Sequence, residues 1–486
     1  MKIAIVGFAL SGFSFLKSVI DNKKNDKIEI DIYEKACEYP AGLPYEKDSL
    51  DKLLNVDTDE MIYPRENKDD FKDWMENNNK KVDPIEKMAP RVYFASYLKD
   101  KAKDYINLPF VNIINEEVTD IGVSIKDGKE IYELKTRDKK STYDFIFLAS
   151  GASFYQDPYK LSGEESYIES PYPLRDKLKD IDNDSSIAII GTSAASTDVF
   201  RYLMNNKNLT KPINFFTGDS EYKIVDIPYE GNIYDKYSLD EAWIKKSLDH
   251  NEFIDLDDLI ERIEKDFSEN GFDLRYAYDT YKDHSLSLSR KAIDENDQAL
   301  AFCEDYFMQF TVFAADIINN LRPQDREIFI DKYYKYLIFL GGKTPYESMK
   351  LILKAYDEGK IDIITNTSSV EKTSEGKFLL KGDRTAHADI VINSSGIETN
   401  LIKVSEKIPL YESLLSKEMI MADKDGDFIA VTWPRLNPLS KKYGCLRNIS
   451  ITGMMVSSTD IDNNDARCIQ KSAKIIGEIL VDDYNL

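Results

Sequence analysis

Lys2-Ile-Ala-Ile-Val6 runs directly into Gly7-Phe-Ala-Leu-Ser-Gly12, and an apolar stretch with helical spacing continues to Ile20. A second apolar stretch, 28–33, ends on Glu34. The pattern predicts a strand, a glycine turn, a helix and a second strand that ends on an acid. This is the order of a dinucleotide-binding βαβ unit.

The glycine turn has the chemistry that a diphosphate requires. Gly7 allows the tight turn, and Gly12 lets the helix pack close to the strand. The diphosphate then lies on unpaired amides at the helix N-terminus, while Glu34 accepts hydrogen bonds from the ribose hydroxyls. Ala9 replaces the middle glycine of the G-x-G-x-x-G pattern with the smallest available side chain. The alternative is a plain βαβ unit with a small-residue turn.

Composition indicates a large globular chain. Its 486 residues are 42% hydrophobic and 12% aromatic, which is sufficient for two or three domains. The formal net charge of −23 argues against binding to nucleic acid or to anionic lipid. No secretory signal and no apolar run of about 18 residues or more is visible, so we expect a cytoplasmic protein without a membrane partner. The four cysteines include no C-x-x-C pair, and the three histidines predict no metal centre.

A second unit repeats the order of the first. The apolar stretch 186–190 is followed by Gly191-Thr-Ser-Ala-Ala-Ser196, a helical stretch and the apolar stretch 213–217. Residues 220–340 are instead charged, rich in tyrosine and helical in pattern. Sheet-like sequence returns from residue 361.

Six groups of residues, in order along the chain, resemble the bacterial FAD/NAD(P)-binding flavoproteins related to flavin-dependent N-hydroxylating monooxygenases. Each group alone is modest, but the order is specific. They are Gly42-Leu-Pro-Tyr45 with Leu53-Leu-Asn-Val56 and Met61; Phe71 with Trp74; Pro90-Arg91 with Tyr97-Leu98; Leu148-Ala-Ser-Gly151; Ile190-Gly-Thr-Ser193 with Asp198; and Ile392-Asn-Ser-Ser-Gly396.

The resemblance implies an α/β fold with a Rossmann-like FAD-binding domain, a nested second dinucleotide-binding unit and a helical insertion. The implied boundaries are 1–160 with 361–486 for the FAD-binding domain, 161–219 with 341–360 for the second unit, and 220–340 for the insertion.

The resemblance also implies where FAD lies. The flavin ring is expected near Leu54-Asn55-Val56 and near the N-terminus of the last helix at 462–464, where the helix dipole stabilises negative charge on a reduced flavin. Alternatives are helix capping for the asparagines at 463 and 464, a turn role for Asn55, and pairing of Arg91 with a surface acid instead of a phosphate. The residues implied to contact FAD are Gly7, Ala9, Leu10, Ser11, Gly12, Glu34, Lys35, Tyr45, Leu54, Asn55, Val56, Arg91, Val118, Ser150, Gly151, Gly396, Gly453, Asn463 and Asn464.

The second unit is expected to bind a nicotinamide dinucleotide. Asp219 follows its second strand, where relatives that use NADPH carry basic residues, and an acid favours NADH over NADPH. Lys343 is the one charge retained from the family's late basic cluster. The alternative is a degenerate unit retained for packing, in which Asp198 is a first-turn acid favoured by the helix dipole. The implied nicotinamide residues are Gly191, Thr192, Ser193, Ala194 and Asp219.

These features lead to an FAD-dependent oxidoreductase, NAD(P)H-dependent and monooxygenase-like, acting on a small polar substrate such as an amine or amino acid. O₂ is a candidate co-substrate, and a homo-oligomer is compatible with the sequence. Cys37 lies outside any dithiol, which disfavours disulfide reductase chemistry. Two alternatives remain: a flavin-binding sensor or interaction protein with little turnover, and a flavin oxidase or dehydrogenase that needs no nicotinamide.

Overall fold

The computed structural model describes residues 1–25, 27–36, 39–82, 88–126, 128–151, 154–461 and 463–486. Within these ranges the strands, in chain order, are β1 (Lys2–Val6), β2 (Glu29–Tyr33), β3 (Val111–Ile114), β4 (Asp120–Lys126), β5 (Lys129–Lys135), β6 (Lys140–Tyr143), β7 (Phe145–Leu148), β8 (Tyr167–Ile168), β9 (Ile187–Ile190), β10 (Ile213–Phe216), β11 (Val225–Asp226), β12 (Thr344–Pro345), β13 (Ile361–Ile364), β14 (Ser369–Lys372), β15 (Phe378–Lys381), β16 (Thr385–Ala388), β17 (Ile390–Asn393), β18 (Leu439–Ser440), β19 (Gly444–Cys445) and β20 (Ile449–Ile451).

The α-helices of the same ranges are α1 (Leu10–Asn22), α2 (Asp70–Asn77), α3 (Arg91–Ile106), α4 (Leu174–Leu178), α5 (Ala194–Asn206), α6 (Glu241–Ser247), α7 (Leu256–Glu269), α8 (Leu274–Tyr281), α9 (Leu286–Glu295), α10 (Gln298–Asn319), α11 (Pro323–Lys332), α12 (Tyr334–Leu340), α13 (Tyr346–Asp357), α14 (Leu401–Lys407), α15 (Pro409–Ser416) and α16 (Ala466–Tyr484).

The first sheet is parallel, with the strand order β20-β7-β1-β2-β3. Its central strand is apolar on both faces, and Ile3, Ala4 and Ile5 are fully buried. Continuous apolar runs of this kind are typical of parallel strands covered by helices on both sides. Helices α1 and α16 pack against each other beside this sheet.

The second sheet has the order β13-β10-β9-β17-β8 and is also parallel. Its topology repeats that of the first sheet. In each sheet a three-stranded antiparallel meander, β4–β6 or β14–β16, lies in sequence between the third strand and the strand that returns to the other side of the first. The predicted α/β fold with two nested dinucleotide-binding units is therefore present, and the repeat includes the meanders.

Strands β13 and β17 pair within the second sheet, not the first. The predicted boundary at residue 361 assigns these two strands to the FAD-binding domain, whereas their pairing places them in the second unit. The physical reason is strand pairing: β13 and β17 flank β10 and β9, and their apolar side chains complete the core of the second unit. Chain order alone does not reveal which of two similar sheets a late strand joins.

Helices α6–α12 form the insertion predicted at 220–340. Its core is aromatic: the Phe267 ring lies 5.0 Å from that of Phe302 and 4.9 Å from that of Tyr306. Helix α10 is fixed to the start of α16, because Arg467 donates to the Met308 carbonyl at 3.3 Å. The insertion thus covers the end of the first unit. Across the described ranges, none of the helices has the length and apolar character needed to cross a membrane.

The contact between α1 and α16 depends on Gly477. A Cβ atom at this position would lie 2.6 Å from the Ser18 Oγ, and that hydroxyl already donates to the Lys474 carbonyl at 2.8 Å. The two helices therefore pack closely only because residue 477 has no side chain.

We predict that Gly477→Val lowers the free energy of unfolding by about 2 kcal/mol, because the added side chain forces the helices apart. Glu478→Val, which places the same side chain at a half-buried neighbouring position, serves as the control. Chemical denaturation of both variants measures the difference. Equal stability of the two variants would contradict the close contact.

Candidate functional site

The first glycine turn leaves no space for side chains. Gly7 has a φ of +91°, and its amide donates to the Tyr33 carbonyl at 2.9 Å. A Cβ on Gly7 would lie 2.1 Å from the Ala149 carbonyl oxygen, and a Cβ on Gly12 would lie 2.3 Å from the Gly7 oxygen. Both glycines are therefore required by close backbone approach, as the sequence predicts.

The N-terminus of α1 has no side-chain cap. Its N-cap residue is Ala9, which has no group that accepts from the first-turn amides. Leu10 and Ser11, the first residues of the helix, therefore present their N–H groups together with the positive end of the helix dipole. This arrangement fits the diphosphate of a dinucleotide.

Glu34 lies beside this turn at the end of β2. One carboxylate oxygen accepts from the Phe8 amide at 2.7 Å, and the other accepts from the Ala36 amide at 2.8 Å. Each oxygen keeps a second lone pair for a ribose hydroxyl. Glu34 thus braces the turn and still has the acceptors that ribose binding requires.

The neighbouring residues of the expected adenosine end come together. Lys35 forms an ion pair with Glu117 at 2.9 Å, which brings the end of β2 next to the buried side chain of Val118. Cys37, for which a position outside a dithiol is predicted, lies outside the described residues.

Gly151 and Gly453, which are also predicted to contact FAD, lie at the carboxyl edge of the first sheet. A Cβ on Gly453 would lie 3.9 Å from the Cα of Gly151, so the turns after β20 and β7 are adjacent. Ser11 shares a hydrogen bond of 2.8 Å with Thr452. Ser150 is engaged with the Tyr411 hydroxyl at 2.7 Å.

Gly396, also predicted to contact FAD, lies in the second unit and not beside the first glycine turn. It follows β17 of the second sheet, and its carbonyl accepts from the Gln156 amide at 2.9 Å. Its place in the second unit corresponds to that of Gly151 in the first.

The last helix begins at Ala466, later than predicted, and its cap is Asp465. The Asp465 carboxylate accepts from the amides of Arg467 at 2.7 Å and Cys468 at 3.3 Å. The capping alternative is therefore wrong for Asn463 and Asn464. A carboxylate already occupies this terminus, so the helix dipole is partly offset before any flavin binds.

Asn463 has a different contact. Its side-chain amide donates to the Gly453 carbonyl, and its oxygen accepts from the Ser457 hydroxyl at 2.9 Å. It therefore holds the turn after β20 in place. Asn464 is exposed, and position 462 lies outside the described residues.

A buried polar cluster joins the two dinucleotide units. The Arg91 guanidinium donates to the Leu53 carbonyl at 2.7 Å and to the Asn55 side-chain oxygen at 3.2 Å. It lies 3.6 Å from the Asp198 carboxylate, which also accepts from the Tyr172 hydroxyl at 2.6 Å. Arg91 is thus paired with an acid, but the acid is buried.

Asp198 is the acid predicted to interact with the helix dipole in the first turn of its helix. The first turn of α5 contains no acidic residue, since Asp198 lies one turn further along. Its charge is matched by Arg91 instead.

Leu54 and Asn55 line a small polar cavity between the units. Ala194, Asp198 and Lys343 also line it. The cavity measures about 10 Å³, which is close to the space of one water molecule. A space of this size holds no flavin or nicotinamide ring.

Two other residues expected to contact the flavin, Val56 and Tyr45, are not in the lining of this cavity. Val56 is half-buried beside Asn55. Tyr45 lies on a short 3₁₀ turn with its ring 4.9 Å from that of Phe94, and burial raises the pKa of its hydroxyl to about 12. It is therefore protonated at neutral pH.

The second glycine turn reproduces the first in backbone geometry. Gly191 has a φ of +100°, and its amide donates to the Phe216 carbonyl at 2.7 Å. A Cβ there would lie 2.9 Å from the Ser394 oxygen. The N-cap of α5, Ser193, makes no side-chain capping bond. The small residues that follow the glycine therefore leave the anion-binding geometry intact.

Two of the residues predicted to contact the nicotinamide dinucleotide, Thr192 and Asp219, lie near the second glycine turn. Thr192 lies against Thr217, with 3.3 Å between their hydroxyl oxygens. Asp219 is exposed just after β10. Lys343 is not exposed: it forms an ion pair with Asp226 at 2.7 Å, and the surrounding acids, Asp226 first and then Glu304, raise its pKa despite its burial.

Sequence reasoning missed Lys52 and Tyr172. Lys52 is fully buried, with its ammonium 4.1 Å from the centre of the Tyr172 ring and 3.9 Å from the Asp48 carboxylate. Burial and then the nearby Arg91 lower the pKa of Lys52 to about 8. Asp48 is only four residues from Lys52, but no local pattern signals the contact with Tyr172, which is distant in sequence. In the described ranges, no group of three or more His, Cys, Asp or Glu side chains is arranged to hold a metal ion.

Residues 4–153 match a family model described as FAD-NAD(P)-binding. The match covers the first glycine turn and agrees with the predicted resemblance over this part of the chain. No curated protein matches the sequence.

Solved structures match over almost the whole chain at low identity. A reduced ornithine hydroxylase from Pseudomonas aeruginosa superposes with a TM-score of 0.61 and 12% identity over 99% of both chains. An ornithine N-hydroxylase from Kutzneria sp. 744, with reduced FAD, NADP⁺ and L-ornithine, gives 0.56 and 11% over 99% of both. A bacillithiol disulfide reductase from Staphylococcus aureus gives 0.51 and 12% over 99% of this chain and 98% of that one. These matches confirm the predicted fold.

We predict that Gly7→Ala lowers the affinity for FAD at least about tenfold, because the new methyl group displaces the turn from the Ala149 carbonyl. Gly163→Ala is the matched control: Gly163 has a similar φ of +87° but nothing within 4 Å of an added Cβ. Equilibrium titration with FAD measures both. Equal losses in the two variants would mean that backbone strain, not the close approach, matters.

We also predict a pH-dependent effect of Lys52→Met. The folded-state pKa of about 8 lies below the ordinary value of 10.5, so the unfolded chain binds more protons between these pH values. Between pH 8 and 10.5 the wild type therefore gains stability relative to the variant, by on the order of 3 kcal/mol. Denaturant unfolding across this range measures the gain, and a constant difference would contradict a depressed pKa.

Proposed function

We propose that the protein is an FAD-dependent oxidoreductase that oxidises a nicotinamide dinucleotide and acts on a small amine-bearing substrate. The observation that carries the proposal is the duplicated anion cradle. Both glycine turns approach a carbonyl too closely for any side chain, and both lead into helices without side-chain caps. Two such turns suit two dinucleotides in one chain.

In this proposal the first unit holds FAD. The amides of Leu10 and Ser11 bind its diphosphate, and Glu34 orients its adenosine ribose. When bound, FAD supplies the electron-transfer chemistry of the reaction. Asn55, fixed by Arg91, lies at the cavity wall that faces the second unit.

The second unit is proposed to bind NADH in preference to NADPH. Asp219 is exposed where the adenosine ribose of a nucleotide on the Gly191 turn would lie, and its carboxylate accepts from ribose hydroxyls but repels a 2′-phosphate. Lys343 does not compensate, because it is buried in its ion pair with Asp226.

An excess of buried acid supports a cationic substrate. Glu304 on α10 is 1% exposed, and one of its carboxylate oxygens has no hydrogen-bond partner among the described residues. Burial raises the pKa of Asp305 to about 6 and that of Glu60 to about 7. A protonated amine brought among these groups would favour their charged forms.

Monooxygenase-like chemistry is preferred over disulfide reduction. The described cysteines are Cys303, Cys445 and Cys468, and none of these three forms a disulfide. The fold itself does not decide between these chemistries, since hydroxylases and a disulfide reductase both superpose on it. O₂ is the proposed oxidant of the reduced cofactor.

Anaerobic reduction tests this function. Purified protein loaded with FAD is mixed with NADH or NADPH while the visible absorbance of oxidised flavin is followed. Rapid bleaching by NADH, then O₂ consumption that increases with an added amine, is the expected result. No bleaching by either nucleotide would exclude the nicotinamide step and favour a flavin-binding protein with little turnover. Failure to bind FAD would exclude the whole proposal.

We predict that Asp219→Arg shifts the kcat/KM ratio of NADPH to NADH upward by about tenfold or more, because an arginine pairs with the 2′-phosphate. Asp138→Arg makes the same charge change on an exposed position next to the first meander and serves as the control. Steady-state kinetics with both nucleotides measure the ratio. An unchanged ratio in Asp219→Arg would remove this residue from the ribose site.

A further inference from the structure

The helical insertion contains a cavity of about 300 Å³ that no part of the proposed reaction uses. It lies among α7, α8, α10, α11 and α12, and its lining includes none of the residues of either glycine turn. Its volume is at the lower end of the range of small-molecule pockets, roughly 300–1,000 Å³.

The inner wall of this cavity is apolar and aromatic. Phe267, Phe307 and Phe329 form its buried part, with exposures of 2%, 3% and 1%. Phe272 and Tyr336 are half-buried and extend the wall outward. The wall therefore suits an apolar group, with aromatic faces and edges for a ring to pack against.

The mouth carries charges of both signs. Glu264 on α7 and Arg275 on α8 are exposed lining residues, and neither side chain has an ion pair or hydrogen bond within the described ranges. Asp273 also lines the mouth, but its carboxylate caps α8 by accepting from the Arg275 amide at 2.9 Å. Burial raises the pKa of the hydroxyl of Tyr336, another lining residue, although the Arg275 charge acts to lower that pKa.

We propose that this cavity binds a free α-amino acid with an apolar side chain. The side chain enters the aromatic part, the carboxylate pairs with Arg275, and the ammonium group pairs with Glu264. A hydrocarbon would leave both charges unused, and a simple carboxylate or amine would meet one like charge at the mouth. Only a zwitterion with an apolar body matches both features.

Three probes with the same ring test the proposal: L-phenylalanine, phenylacetate and phenethylamine, titrated into the full-length protein by calorimetry. L-phenylalanine is expected to bind saturably and about tenfold more tightly than either of the other two, because each of them loses one charged contact. Equal binding of the three, or no saturable binding of L-phenylalanine, would overturn the proposal.

Variants locate the binding. Ser268→Trp fills the cavity from its lining and is expected to abolish binding. Arg275→Gln should remove the advantage of L-phenylalanine over phenethylamine, and Glu264→Gln should remove its advantage over phenylacetate. Glu261→Gln, an exposed residue of α7 outside the lining, is the control. Binding that is unchanged in Arg275→Gln and Glu264→Gln would place the ligand elsewhere, and FAD content verifies that each variant is folded.

Discussion

The close approach of Gly7 to the carbonyl of Ala149 is the constraint on which the rest of the structure depends. A single Cβ would bring carbon within 2.1 Å of that oxygen. Because β1 and β7 are neighbouring strands, this contact fixes the height at which the first helix leaves the sheet. The uncapped amides of α1, the acid at the end of β2 and the turn after β20 all take their positions from it.

The same constraint recurs at Gly191 and the Ser394 carbonyl, with a similar backbone at both N-caps. The two units therefore share strand order, meander and turn. They differ in the acid near the turn, which is Glu34 after β2 in the first unit and Asp219 after β10 in the second. Between them Arg91 links Asn55 of one unit to Asp198 of the other, so the cluster that faces the cavity depends on both. The insertion is fixed to the start of α16 by the hydrogen bond from Arg467 to the Met308 carbonyl of α10.

Local patterns in the sequence are sufficient to predict the two glycine turns and the helical character of α6–α12, because each depends on neighbouring residues. Contacts between distant segments were not predictable in this way. The capping alternative for Asn463 is wrong, because the cap is Asp465 and the Asn463 side chain donates to the Gly453 carbonyl; the predicted flavin contact of Asn463 stays a prediction. Lys343 is predicted only as the one charge retained from a basic cluster, and its ion pair with Asp226, far away in sequence, is not visible in the local pattern. Strands β13 and β17 join the second sheet for the same reason. Their pairing with β10 and β9 is a contact between distant segments, which chain order alone does not reveal.

Hydrogen–deuterium exchange with and without FAD is the most direct measurement of the central claim, that the first-turn amides bind the diphosphate of FAD. Peptides that cover 7–13 should exchange more slowly when FAD is added, while those that cover 191–197 should not change until a nicotinamide dinucleotide is present. If FAD binds and exchange over 7–13 stays the same, the cofactor lies elsewhere and the account is contradicted.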